Sequence, residues 1–455
     1  MRIKRIPVFI FLILASTGNH LPAAQTEIRI ISTPPIALFG EPFTWKIIGL
    51  RPGERVILKA VSRDAAKVTW ASDAVFEADA SGTVEVDRRA PVSGSYSGAD
   101  IFGLLWSMKP ADAPSKKPIA YRENGTAGWT IDLTAVGSDG RTASARFRCV
   151  YQKPGKALVR LPLETEGLCG FLYYPAEGGP FPGLILLGGS EGGLSEARAR
   201  AFASHGFAAL TLAYFGYPNL PDELVDIPLE YFDRAVAWMR SRPEVKADRL
   251  GIFGGSKGAE AALLVASRNA NIRAVAALTP AAHSWEGHTM RFFSPDYRPV
   301  ASWSVGGKPL PYVPFKITAE EKAIYAKGEL PSFVPFFREG LAEAGPAVVE
   351  KAAIPVEKIR GAILLVSCTD DQIWPSGASS EAIVARLKKA GFPYEVKHVS
   401  LENAGHSAVI PFLITANRGL LIDGDPSGGA PRADIHGGYK SWAETLAFLR
   451  RHLDR

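Results

Sequence analysis

Two successive patterns in the sequence predict an α/β protein that carries a β-sandwich, Ig-like domain at its N-terminal end. Short β-rich runs separated by turn signals come first, strands alternating with helical periods follow, and one glycine-rich turn joins a strand to a helix in the second region. At 455 residues the chain exceeds one ordinary domain and suits two, each able to bury a core.

In the first region, Phe43 to Ile48, Arg55 to Val61, Lys67 to Trp70, Thr83 to Asp87 and Trp129 to Ala135 are rich in β-branched and aromatic residues. Arg51-Pro52-Gly53-Glu54 and Ser138-Asp139-Gly140 stand between them as turns, the latter bracketed by two alternating runs as in a hairpin. Strands at this spacing without helices between them predict a sandwich. No cluster of acid, base and nucleophile falls in it.

From about Gly170 the chain gives short buried-type strands: Gly183 to Leu187, Ala208 to Ala213, Arg249 to Phe253, Ala274 to Leu278, Ala362 to Val366 and Tyr394 to Val399. Glu230 to Arg240 and Ser379 to Ala390 have helical periods between them. Such alternation predicts a mostly parallel sheet covered on both faces, with its ligands at the carboxyl ends of the strands. One stretch, at about 284–355, interrupts the alternation with Trp303, Pro309-Leu310-Pro311-Tyr312 and Phe333 to Phe337, and is expected to form a cap over those ends.

The beginning of the chain differs from the rest. Met1-Arg2-Ile3-Lys4-Arg5 is basic, Ile6 to Ala15 is apolar, and small residues follow at Ser16-Thr17-Gly18 and Ala23-Ala24. That order predicts a secretory signal peptide over 1–24, since the apolar run is shorter than the ~20 residues a bilayer span needs. Export to the periplasm or outside, with no stable membrane insertion once the signal is removed, is the expectation. The sandwich is then assigned to 25–151 and the α/β domain to 152–455. Cys149 and Cys169 are free to pair in an oxidising compartment and leave Cys368 alone, with three unpaired thiols the equal alternative.

Composition bounds the partners. The apolar share is 47% and the charged share 22%, a balance typical of a folded, water-soluble body. A net charge of +6 is spread without any block of like charge, so no nucleic-acid footprint is expected. None of the three cysteines sits in a metal-ligand spacing, so no zinc site is expected, nor any cofactor.

The chemistry concentrates in Gly254-Gly255-Ser256-Lys257-Gly258, which follows the strand ending at Phe253 and opens a helix over Ala259 to Ser267. A serine on a tight strand-to-helix turn is held clear at the sheet edge, and glycine is expected on both sides because a Cβ there would strike neighbouring backbone. The arrangement is that of an α/β-hydrolase nucleophile, so Ser256 is the expected nucleophile. A serine hydroxyl needs a base, and in this order of elements the base comes later in the chain. His406, in Asn403-Ala404-Gly405-His406 after the last core strand, fits, and His436 is its main rival.

The orienting acid is expected where the strand Ala362 to Val366 ends, in Asp370-Asp371. Neighbouring side chains there point apart, and Asp371 is preferred over Asp370 because Pro375 stands at the usual strand-turn spacing. For the oxyanion, the backbone N–H of Lys257 is expected to act with one from the loop Gly188 to Gly193, donated by Ser190 or Glu191. That loop has neither the lysine nor the spacing of a phosphate-binding P-loop.

In this order, these residues resemble the acyl-CoA thioesterase and bile acid-CoA:amino acid N-acyltransferase family. The resemblance extends from Ser93-Gly94-Ser95-Tyr96-Ser97-Gly98 and Gly103-Leu104-Leu105-Trp106-Ser107-Met108 in the first region to Gly179-Pro180-Phe181-Pro182-Gly183, Leu229-Glu230-Tyr231-Phe232, Gly255-Ser256-Lys257-Gly258 and Ala404-Gly405-His406 in the second. It implies cleavage of an acyl thioester through an acyl-enzyme, with Ser256, His406 and Asp371 as the triad. Members that transfer the acyl group to an amino acid carry cysteine at the nucleophile position, so Ser256 implies water as the acceptor. Because coenzyme A is a cytoplasmic carrier, export makes a second expectation: a carboxylesterase for a small or hydrophobic ester. A noncatalytic binding protein is the third.

Overall fold

The computed structural model describes residues 27–111, 121–122, 125–163, 167–289, 297–327, 329, 332–409, 414 and 426–454, so the signal peptide expected over 1–24 lies outside the described residues. The first region forms two packed β-sheets. Arg29–Thr33, Thr44–Ile48 and Val84–Glu85 make a small one, and the larger is built around Arg55–Arg63, Thr69–Glu77, Trp129–Gly137 and Thr142–Val150. The last two pair antiparallel around the Ser138-Asp139-Gly140 turn. Alternation decides which side faces in: along Arg55–Arg63, Val56, Leu58 and Ala60 are buried while Arg55, Lys59 and Arg63 are exposed. Trp45, Trp70, Phe76 and Phe147 fill the space between the sheets.

The second region is an eight-stranded sheet. Its strands, numbered within this sheet, are β1 (Leu158–Pro162), β2 (Cys169–Pro175), β3 (Phe181–Leu187), β4 (Ala208–Ala213), β5 (Val245–Gly255), β6 (Ile272–Leu278), β7 (Ala362–Cys368) and β8 (Val396–Leu401). Their spatial order is β1-β2-β4-β3-β5-β6-β7-β8. Strand β2 runs antiparallel to both neighbours, and every pair from β4 to β8 is parallel. Helices Glu196–Ser204, Leu229–Ser241, Lys257–Arg268, Ser376–Lys389 and Pro431–Leu453 supply the crossovers and the end of the chain. Central strands β4 and β7 are buried along their whole length, which is why they read as unbroken apolar runs.

The two regions share a core. Trp442 of the last helix packs its ring 5.0 Å from Phe39 of the sandwich and 4.6 Å from Phe202. His205 Nε2 meets the Phe39 carbonyl at 3.0 Å. Gly40, at φ +94°, could carry no side chain, because a Cβ would lie 1.9 Å from Trp442 Nε1. All three cysteines are free thiols, so Cys149 and Cys169 are not joined.

Between β6 and β7 the interrupting stretch folds back on the sheet. Trp303–Val305 and Lys308–Pro309 form a small sheet with Ile227–Pro228, and the helices Ala319–Ala326 and Val334–Ala352 follow. Trp285, Val313 and Ala352 form a separate apolar cluster with Ala281 and Trp374, the last of which lies three residues after Asp371.

Candidate active site

Adjacent parallel strands bring distant residues to one edge. Gly255 at the end of β5 is paired with Leu278 of β6, Leu278 with Val366 of β7, and Cys368 of β7 with Leu401 of β8. Ser256, Asp371 and His406 follow three of these strand ends, so all three emerge on the carboxyl side of the sheet.

Ser256 occupies φ 55° and ψ −126°, a region a non-glycine residue enters only when its surroundings force it. The forcing is visible. A Cβ on Gly258 would lie 2.3 Å from the Gly188 carbonyl oxygen, and one on Gly254 would lie 2.0 Å from that of Gly258. Gly255 corrects the sequence reading: a Cβ there meets nothing within 4 Å, so the steric demand falls on Gly254 and Gly258 and not on the immediate neighbour before the serine. Gly258→Ala is therefore expected to destabilise the fold by about 1–3 kcal/mol in urea unfolding, from overpacking against backbone that has no rotamer to yield. Gly255→Ala should unfold at the wild-type midpoint, and equal losses from the two substitutions would refute this account of the turn.

His406 is buried, and its Nδ1 lies 2.9 Å from both carboxylate oxygens of Asp371. Nδ1 therefore carries the hydrogen, which leaves Nε2 as the basic nitrogen. Asp371 is itself fixed by N–H donors from Ile373 (3.1 Å) and Trp374 (3.2 Å) and by the Ser376 hydroxyl (2.6 Å). Sequence reasoning did not find Ser376 or Trp374, because neither stands in a recognisable pattern. Trp374 packs edge-on to the His406 ring at 6.1 Å.

Asp370 points elsewhere, accepting hydrogen bonds from Gln372 Nε2 at 2.6 Å and the Gly429 N–H at 2.8 Å. The rival base is also placed away from the turn: His436 Nε2 sits 3.0 Å from Asp100 of the sandwich. Ser256 makes no side-chain hydrogen bond to any described residue, His406 included. Such contacts commonly tighten only when substrate is bound.

The Gly188 to Gly193 loop lies directly against the serine, since a Cβ on Gly189 would come within 3.3 Å of Ser256 Cβ. Tyr214 holds this loop by donating to the Gly188 carbonyl at 2.6 Å. Among the described residues, none accepts a hydrogen bond from the backbone N–H of Lys257, Ser190 or Glu191. No group of three or more His, Cys, Asp or Glu among the described residues is placed to hold a metal ion.

Lys257 was expected for its backbone alone, yet its side chain does something separate. The ammonium is buried, 3.1 Å from Glu260, 3.2 and 3.0 Å from the carbonyls of Trp285 and Glu286, and 2.8 Å from the Ser302 hydroxyl. Glu260, fully buried, also accepts from Trp303 Nε1 at 2.6 Å. Burial lowers the Lys257 pKa and raises that of Glu260, and each partner opposes the other's shift. The turn that presents Ser256 is thus tied to the inserted stretch.

Glu286 adds a pH dependence. Burial pushes its carboxyl up to about 7, against the opposing pull of the Tyr297 hydroxyl, the Phe315 N–H and Lys257. Because the folded pKa exceeds the ordinary 4.5, the folded state binds the extra proton more tightly. Its contribution to stability is complete below that ordinary value and is lost as pH rises through 7. Glu286→Gln, neutral throughout, should gain stability over the wild type between about pH 5 and pH 8, by about 3 kcal/mol at the upper end. A melting-temperature difference that stays constant across that range would contradict the shift.

A sheet in this order, with a serine at the sharp turn after β5, defines an α/β-hydrolase. Comparison with known proteins narrows the class. Residues 227–455 match the family described as BAAT / Acyl-CoA thioester hydrolase C terminal, and residues 40–157 match the Acyl-CoA thioester hydrolase/BAAT N-terminal region. The chain is 30% identical over 426 residues to acyl-coenzyme A thioesterase 1 of Mus musculus, covering 91% of this chain and 94% of that one. It is 29% identical to the mitochondrial acyl-coenzyme A thioesterase 2 of the same organism, covering 96% of this chain and 92% of the relative. Acyl-coenzyme A amino acid N-acyltransferase 1 of Mus musculus is also 29% identical, with 94% and 98% covered. The chain belongs to the BAAT and acyl-CoA thioester hydrolase family and is a hydrolase.

Proposed function

We propose that this hydrolase cleaves acyl thioesters through a covalent acyl-enzyme on Ser256. The Ser256 oxygen attacks the thioester carbonyl carbon as its proton passes to His406 Nε2, and Asp371 stabilises the imidazolium that forms. The backbone N–H of Lys257, with that of Ser190 or Glu191, receives the developing oxyanion. Collapse breaks the C–S bond, and the thiolate leaves with the proton from His406. Water then attacks the acyl-serine with His406 again as base, releasing the carboxylic acid and restoring the serine.

The observation that supports this reading best is the buried His406–Asp371 pair, both carboxylate oxygens 2.9 Å from Nδ1, on the sheet edge that carries the strained Ser256 turn. The similarity to acyl-coenzyme A thioesterases supports the thioester as substrate.

A second reading is a carboxylesterase acting on a small or hydrophobic ester outside the cytoplasm. It is favoured by the basic-then-apolar order of Met1 to Ala15, which supports export. Turnover of palmitoyl-CoA against p-nitrophenyl acetate separates the two. Efficient release of free CoA supports the thioesterase, and negligible CoA release with rapid nitrophenol release would replace it by the esterase. Fractionation of the producing cells tests export, which is abandoned if the full-length chain stays in the cytoplasm.

A further inference from the structure

The histidine loop is gripped by the segment that leads into the last helix. His406 N–H donates to the Ser427 carbonyl at 2.8 Å, and Ala430 N–H donates to Asn403 at 3.1 Å. Gly405 N–H donates to Asp434 Oδ1 at 2.8 Å, and a Cβ on Gly405 would lie 2.2 Å from the Gly428 carbonyl oxygen. Asp434 is 1% exposed, on the first turn of the helix Pro431–Leu453. It therefore bonds the residue directly before His406 from a buried position.

The same turn is fastened to the sandwich. Asp100, buried in the first region, accepts the Phe102 N–H at 2.9 Å and Trp106 Nε1 at 3.0 Å, which fix it within its own domain. Its carboxylate then faces the helix, 3.2 Å from Arg432 Nε and 3.0 Å from His436 Nε2. Phe102 packs on the rings of His436 at 5.1 Å and Tyr439 at 5.4 Å. Arg432, Asp434 and His436 are neighbours on one helix start, two facing the sandwich and one facing the His406 loop.

We infer that Asp434 and Asp100 are positioning residues, through which the β-sandwich holds the His406 loop where Nδ1 meets Asp371. The inference rests on His406 being the general base. It gives the N-terminal domain a task in catalysis that requires no contact with substrate. The hydrogen bond that Gly405 N–H donates to Asp434 sets the loop against the helix, and the Asp100 contacts set the helix against the sandwich. Removing either releases the imidazole over a distance that matters, because misplacement by about 1 Å costs up to about a hundredfold in rate.

The test is the rate at which a fluorophosphonate probe labels Ser256 in the full chain, a reaction that needs the base and no knowledge of the substrate. Asp434→Ala should slow labelling by about ten- to a hundredfold. Asp434→Asn keeps an oxygen for Gly405 N–H and should restore most of that rate, which a loss of general packing would not. If Asp434→Ala does not fold, the exposed pair Arg432→Ala/His436→Ala carries the test, since it frees Asp100 from the helix without opening a core. That double variant should label several-fold more slowly while its far-UV circular dichroism shows it still folded at the assay temperature. His406→Ala separates the two possible failures. If it labels at the wild-type rate, the assignment of the base has failed. If it is inert while folded Asp434→Ala, or the folded double variant, labels at the wild-type rate, the positioning role is overturned, as it is if Asp434→Asn shares the whole loss.

Discussion

Ser256→Ala is expected to lower kcat for thioester or ester hydrolysis by roughly five to six orders of magnitude, with little change in KM. The effect is large because attack, proton transfer and acyl-enzyme formation all depend on one oxygen, while binding does not. Alanine keeps the backbone at φ 55° no worse than serine does, since both carry a Cβ, so the fold should persist. Burst kinetics and steady-state release of CoA check the expectation together. Retention of more than a small fraction of wild-type turnover would point to a noncatalytic serine and to some other source of hydrolysis.

Asp371→Asn should cost about 10⁴-fold in kcat. The amide would turn an N–H₂ group or a single carbonyl oxygen toward His406 Nδ1, in place of the two carboxylate oxygens that now hold its hydrogen at 2.9 Å. The two backbone donors both meet Oδ1 and demand an acceptor there, while the Ser376 hydroxyl at Oδ2 can rotate to accept, which places the amide nitrogen at the Oδ2 position facing the histidine and favours the wrong tautomer. Asp370→Asn is the control. Its partners are Gln372 and Gly429, and its loss should leave activity within about tenfold. If the adjacent substitutions had equal effects, His406 would not be depending on Asp371 specifically.

Much of this arrangement was legible because local chemistry is strict where the chain turns sharply. Gly254 and Gly258 are required by backbone atoms within 2.3 Å of where a Cβ would stand, so the turn leaves a readable signature. The fully buried strands β4 and β7 were equally plain as apolar runs. The edge strand β1 and its neighbour β2 were not, since β1 is only partly buried and carries Arg160 and Pro162 among its five residues. Thr69–Glu77 was read too short and too early: Lys67 has φ 67° and belongs to the turn before it.

The last helix, Pro431–Leu453, was missed for a different reason. Gly437 and Gly438 sit in its second turn, and such residues weaken a helical reading that tertiary packing overrides. Nor does any pattern announce Ser376, Asp434 or the Lys257 ammonium. Asp434 meets the Gly405 N–H, and the Lys257 ammonium meets the carbonyls of Trp285 and Glu286, contacts distant in sequence that only the folded chain makes.

The Lys257 ammonium restricts how substrate gets in. Swinging the inserted stretch away would strand a cation among groups arranged to receive it, at about 3–5 kcal/mol for breaking such a buried pair. Entry by a hinged movement of the segment that carries Trp285, Glu286 and Ser302 is thereby disfavoured. On the proposed thioesterase reading, a site that does not open and close selects by static shape, so turnover against acyl-chain length should show a sharp cutoff rather than a gradual decline.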